Sequence, residues 1–190
     1  MRKISGILAM LVSAFVLAFA PANADDDNAA LKEYQVKAVF LYNFIKFVEW
    51  PGAQALAQTH AANICVIGED PFGPALNVFK QASTAQLALN VTRNISDAAI
   101  PRCHILFISK SEEGRVSQIL SAVRGYPVLT VSEISGFADA GGIVEMANTE
   151  KSIGLFSKNK INLRINVKLA TAAGMRIDAQ LLEIASEVIK

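Results

Sequence analysis

Leu31, Tyr34, Ala38, Leu41, Ile45 and Val48 recur at three- and four-residue spacing, which predicts an amphipathic helix of about five turns. Pro51 disfavours helical geometry in the residue before it and Gly52 is a second breaker, so the helix is expected to stop at Trp50. Its remaining faces carry Val39, Phe40, Tyr42, Phe44 and Phe47, more apolar surface than one core contact needs. Further on, Ile64–Ile67 and His104–Ile108 are short continuous apolar runs, each followed by polar loop residues and a helical pattern at Pro74–Ala82 and Gly114–Arg124. Val128–Val131 is a third run of this kind. Such runs suit strands of a parallel sheet covered on both faces. Between the first two, Leu87, Leu89 and Val91 alternate with Ala88, Asn90 and Thr92, the pattern of a half-exposed strand at a sheet edge.

After Phe137 the connections shorten. Ile143–Met146, Ile153–Phe156 and Ile161–Val167 are separated by polar turns, and antiparallel pairing is expected. In the last segment Ile161, Leu163, Ile165 and Val167 face one way and Asn162, Arg164 and Asn166 the other, which predicts one apolar and one polar face. A helical piece over Lys168–Ala173, capped by Gly174, precedes a final helix with Asp178 at its N-cap and a stripe of Leu181, Leu182, Ala185 and Val188. The whole predicts a three-layer α/β domain, Rossmann-like or flavodoxin-like, with a parallel core and a C-terminal antiparallel meander.

The N-terminus changes the setting of this domain. Arg2 and Lys3, the uncharged run Ile4–Ala20 and the small-residue site Ala22-Asn23-Ala24 form a secretion signal, so residues 1–24 are expected to be removed and 25–190 to work as one domain with no membrane span. The full chain carries 18 Lys and Arg against 17 Asp and Glu. Loss of Arg2 and Lys3 turns the slight excess acidic, which offers no attraction to polyanions and argues against nucleic acid as a partner. Cys65 and Cys103 then lie in an oxidising compartment, and an even count predicts one disulfide, with two buried thiols as the alternative.

Candidate chemistry is sparse. The loop Gly68–Gly73 sits where α/β proteins hold phosphate, but it lacks G-x-G-x-x-G and a following lysine, and Glu69 and Asp70 oppose an anion there. Asp70 is expected to cap the next helix, with Pro71 in its first turn. With only His60 and His104 in the chain, and no C-x-x-C, neither a metal site nor any cofactor is implied. No G-x-S-x-G elbow or carboxylate pair suggests catalysis. Tyr42, Phe47 and Trp50 on the over-apolar first helix are the candidate surface for a partner protein or a second copy, against the plainer reading of burial in the core. The runner-up is a small-molecule-binding protein with its pocket at the carboxyl edge of the sheet, near Gly68–Gly73, Ser109–Gly114 and Val131–Phe137.

The stretch Val36–Pro51, then Ile64–Gly68, Cys103–Ser109, Val128–Val131, Gly136-Phe137 with Gly141-Gly142, and Ile165-Asn166 before Leu181-Leu182, resembles YfiR-family periplasmic proteins over nearly the whole mature chain. The resemblance implies a non-enzymatic periplasmic repressor. Its partner would be the periplasmic sensing domain of an inner-membrane diguanylate cyclase of the YfiN type, and its effect to lower cyclic di-GMP and biofilm formation. This chain has one cysteine pair where the best-studied branch of the family has two.

Overall fold

The computed structural model describes residues 24–52, 55–149, 152–153, 156–157 and 160–190. The expected leader, residues 1–24, falls outside them except for Ala24. The chain begins with helix α1 (Ala24–Phe47), strand β1 (Val48–Glu49), helix α2 (Leu56–Thr59) and strand β2 (Ala61–Ile67). Next come helix α3 (Val78–Ala82), β3 (Ala88–Thr92), β4 (Ile105–Ile108), α4 (Val116–Val123) and β5 (Leu129–Ser132). The last part holds β6 (Val144–Thr149), β7 (Ser152–Ile153), β8 (Phe156–Ser157), β9 (Lys160–Asn166), α5 (Val167–Ala172), β10 (Arg176–Ile177), α6 (Ala179–Glu183) and β11 (Glu187–Ile189).

The main sheet has seven strands in the order β11-β9-β6-β5-β4-β2-β3. Its parallel part, β3-β2-β4-β5-β6, has the flavodoxin-like order. The central strands β4 and β5 are buried at every position, as their unbroken apolar runs require. Successive side chains therefore enter two separate cores. Ile64, Val66, Ile105, Phe107, Leu129 and Val131 meet α1, Phe72, Leu76, Phe79 and Leu181 on one face. Cys65, Ile67, Leu106 and Ile108 meet α4, Ile100, Ile134 and Phe137 on the other. β3 lies at the sheet edge, with Leu89 buried and Ala88, Asn90 and Thr92 exposed, as the alternation predicts.

Several boundaries depart from the sequence expectation. α1 ends at Phe47, because Val48 and Glu49 extend and pair antiparallel with Ile177 and Arg176. The segment Gly73–Asn77 ahead of α3 and the segment Lys110–Arg115 ahead of α4 are 3-10 turns. Asp70 does not cap a helix: its Oδ1 accepts from the Phe72 N–H at 2.9 Å, upstream of the 3-10 turn that begins at Gly73. Of the expected meander only β9 against β6 is antiparallel within the main sheet. β6 runs parallel to β5, because residues 133–142 form a compact turn that buries Ile134, Phe137 and Ala138 and carries the chain back across the sheet. The expected strand Ile153–Phe156 is instead the hairpin of β7 and β8, with residues 154–155 outside the described set. The last helix stops at Glu183, and Val188 lies in β11, parallel to β9. Two β-branched residues, Val188 and Ile189, favour that extended form.

Cys65 and Cys103 form a disulfide with Cα atoms 5.9 Å apart, and both are buried. Cys65 sits well inside β2 and not at its amino edge, because β2 begins at Ala61. Cys103 reaches it as the residue that ends the 3-10 turn Asp97–Arg102, on the face of the sheet that α4 covers.

Candidate functional site

α1 crosses one face of the sheet and carries one charged residue into the interior. Lys37 is 1% exposed. An isolated ammonium there would be prohibitively costly, and its charge is met from two sides. Glu33, one turn earlier, accepts from Lys37 Nζ at 2.5 Å, and Glu133, the residue that follows β5, forms a second direct ion pair. The Tyr34 hydroxyl donates to both carboxylate oxygens of Glu133 at 3.1 Å, while Lys37 Nζ stands 4.7 Å from the Tyr34 ring centroid. Burial, and then the negative charge of Glu133, push the Tyr34 phenol well above the usual tyrosine range, so it remains a proton donor.

These groups form one wall of a cleft of about 320 Å³ at the carboxyl edge of the parallel strands. Lys110, just beyond β4, Ser135, beyond β5, and Ala147 on β6 complete it. The cleft thus holds two lysines and two glutamates, with the buried ion pairs fixed and Lys110 at the exposed rim. Lys110, Glu133 and Ser135 fall in two of the three loops expected to frame a carboxyl-edge pocket. In the third, Gly68–Gly73, Asp70 is engaged by Arg93 at 2.6 Å and the Glu69 N–H by the Ser111 hydroxyl at 2.9 Å.

A second charged cluster orders the far side of the sheet. Arg164 on β9 lies in register with Glu145 on β6 and Glu187 on β11. It bonds both, at 3.1 and 2.7 Å, together with Asp139 at 2.9 Å. Buried Glu145 also accepts from the Gly136 and Ala138 N–H groups, which fixes the turn leading into β6. The polar face expected for Asn162, Arg164 and Asn166 is thus occupied by a cross-strand ion ladder.

The three aromatic candidates on or near the first helix have different fates. Trp50 is buried: its Nε1–H donates to the His104 carbonyl at 3.2 Å and its ring meets the His104 imidazole edge to face. That burial corrects the expectation that Trp50 presents itself to a partner, since an indole N–H satisfied inside the chain gains nothing from leaving. Tyr42 and Phe47 are half-buried, Tyr42 against Phe79 and beneath Lys46. Among the described residues, the large apolar side chains that α1 exposes are Leu31, Val36 and Val39. His104 is a core residue, its Nδ1 accepting from the Asn63 N–H at 3.1 Å. Sequence reasoning passed over Lys37, Glu33, Tyr34 and Glu133; the spacing of Glu33 and Lys37 was the one local sign.

Fold and cleft together define a mostly parallel, flavodoxin-like α/β domain with an ion-paired cleft at its carboxyl edge. The family model described as YfiR/HmsC-like (DUF4154) matches residues 34–186, and the chain belongs to that family. That family is one of periplasmic regulatory proteins. Among the described residues no helix is long and apolar enough to cross a membrane. No curated protein sequence matches the chain. Among solved structures, a conserved domain protein from Vibrio cholerae O1 biovar eltor superposes with a TM-score of 0.51 at 10% identity, over 82% of this chain and 60% of that one. The ABC domain in complex with L-Trp from Streptococcus pneumonia gives 0.46 at 12% identity, over 68% of this chain and 55% of that one. The first likeness is one of fold, and the chain spans about three fifths of that protein's length.

Proposed function

We propose that the protein is an exported repressor that binds the periplasmic domain of an inner-membrane diguanylate cyclase and so lowers cyclic di-GMP and biofilm formation. The observation that carries this reading is the family match over residues 34–186, which spans both cores, the disulfide and the carboxyl-edge cleft. Leu31, Val36 and Val39, exposed along α1 beside half-buried Phe40, Tyr42 and Phe47, give the partner an apolar strip to cover. The test is deletion in the native host with cyclic di-GMP measured, combined with crosslinking from membranes. Deletion is expected to raise cyclic di-GMP, re-expression to restore it, and the crosslink to identify a membrane cyclase. An unchanged nucleotide level, or crosslinks confined to other proteins, would overturn it.

A second reading, a protein that holds a small polar molecule, is favoured by the 320 Å³ cleft with Lys110 and Ser135 beside a buried ion-paired wall. A thermal-shift screen of small polar metabolites tests it. A stabilising compound should lose its effect in Lys110→Ala; no stabilising compound, or one indifferent to that change, removes this reading.

A further inference from the structure

The outer edge of β3 is open, and the geometry points to a docking site for an extended peptide segment of another protein. β3 pairs in parallel with β2 from Ala88 to Thr92, and the Ala88 N–H donates to the His60 carbonyl at 2.9 Å. In a parallel ladder alternate residues turn both backbone groups to the same neighbour. Ala88, Asn90 and Thr92 therefore serve β2, and Leu89 and Val91 turn outward. The Leu89 N–H is taken by the Ser83 hydroxyl at 3.0 Å, and the Leu87 carbonyl by the Thr84 N–H at 3.0 Å. This leaves the Leu89 carbonyl and both backbone groups of Val91 without a partner among the described residues.

A groove of about 440 Å³ runs along this row, lined by residues 89–93 and, on one side, by Leu76 and Asn77. Leu76 and Leu89 are buried, Val91 is half-buried, and Asn77, Asn90, Thr92 and Arg93 are exposed, so the groove beside the backbone row is of mixed polar and apolar character, with Val91 as its main apolar surface. An accessible donor and acceptors spaced along a strand, beside a groove for side chains, are what strand addition uses: main-chain bonds give affinity and alternate side chains give selectivity.

The opposite edge shows what a guarded strand looks like here. β11 is three residues long, its Glu187 is held by Arg164, and Lys190 follows it. Charge and brevity are the usual protections of an edge. Within Ala88–Thr92 there is no charged residue, no proline and no bulge. The occupant is a segment of another protein and not a second copy of this edge. A two-fold ladder through three backbone groups buries far less than the roughly 1,200 Å² of a stable dimer, whereas a short segment carried on a larger partner gains from local concentration. The segment is four to six residues by the length of the groove (~3.3 Å per residue), with one side chain resting on Val91 and a polar neighbour facing Asn90 and Arg93.

The test is selection of binders from a randomised hexapeptide library, followed by amide hydrogen exchange and titration against Val91→Pro. Proline at Val91 removes the outward donor and leaves the bonds to β2, a substitution edge strands tolerate. In the free protein the Val91 amide should exchange quickly while those of Asn90 and Thr92 are protected. Selected peptides should protect Val91 and bind Val91→Pro at least about tenfold more weakly. If the variant fails to fold, the exchange data on the native protein decide alone. Val91 already protected in the free protein, failure to select any binder, or peptides that protect another region each overturn the proposal.

Discussion

Lys37 and Glu133 stand 96 residues apart in the chain, and their side chains meet in a direct ion pair where α1 passes the end of β5. Neither carboxylate partner of Lys37 is far from solvent, at 15% and 10% exposed, yet the ammonium itself is fully enclosed. Lys37→Met should therefore cost more than the loss of one contact, because two carboxylates lose their cation at once. The expected destabilisation is about 3 kcal/mol, a fall in melting temperature of roughly 6–12 °C. Chemical denaturation at pH 7 measures it, and an unaltered midpoint would show that the pair contributes nothing net.

Tyr34 shares Glu133 with Lys37. Its phenol titrates above the ordinary value, because burial and the neighbouring carboxylate both disfavour the phenolate. A raised value means that its contribution to stability is complete below about pH 10 and is lost as pH rises through the folded value. Spectrophotometric titration should find one of the three tyrosines ionising late, and Tyr34→Phe should abolish that late component. The same variant should cost about 1 kcal/mol at pH 7.

Asp139 gives the opposite sign. Hydrogen bonds from the Arg164 guanidinium hold its carboxyl below the usual carboxylate range. Its contribution is present above about pH 4, where the unfolded chain would titrate, and is lost as pH falls through the lower folded value. Asp139→Asn should be less stable than the native protein at pH 7, and the difference should close in strong acid. Paired urea titrations at the two pH values check this; a gap that widens in acid contradicts it.

The Cys65–Cys103 bridge closes a loop of 38 residues inside the core that α4 covers. The double variant Cys65→Ala/Cys103→Ala is expected to lose about 4 kcal/mol in the chain-entropy account. Thiol titration should find no free thiol in native or denatured protein, and mild reductant should leave the bridge intact because both cysteines are buried. Opening without loss of stability would refute a purely structural role.

The strands most legible in the sequence were β2, β4 and β5, since burial on both faces writes itself as an unbroken apolar run. The edge position of β3 was equally plain from alternation. Trp50 was not, because a large aromatic at the end of a greasy helix reads the same whether it faces a partner or, as here, donates to the carbonyl of His104. β11 was hidden by Leu181 and Leu182, whose helical spacing continues smoothly into Ala185 and Val188; the register with β9 and the Glu187–Arg164 bond decide otherwise. The cleft was half visible. Its loops were identifiable from the strand ends, but Glu133 and Lys37 are joined only by tertiary structure, and Lys37, one of three lysines in α1, looks like solvent relief.

The two-residue ribbon of β1 and β10 binds the exit of the first helix to the entrance of the last, with Asp178 N–H donating to the Phe47 carbonyl at 2.8 Å. Phe47 precedes its partner by some 130 residues, so the exit of α1 can be fastened only after nearly the whole chain is in place. Contacts of such long range make folding slow. Truncation before Arg176 would leave the clasp permanently open, with α1 seated on the sheet but its exit unfastened.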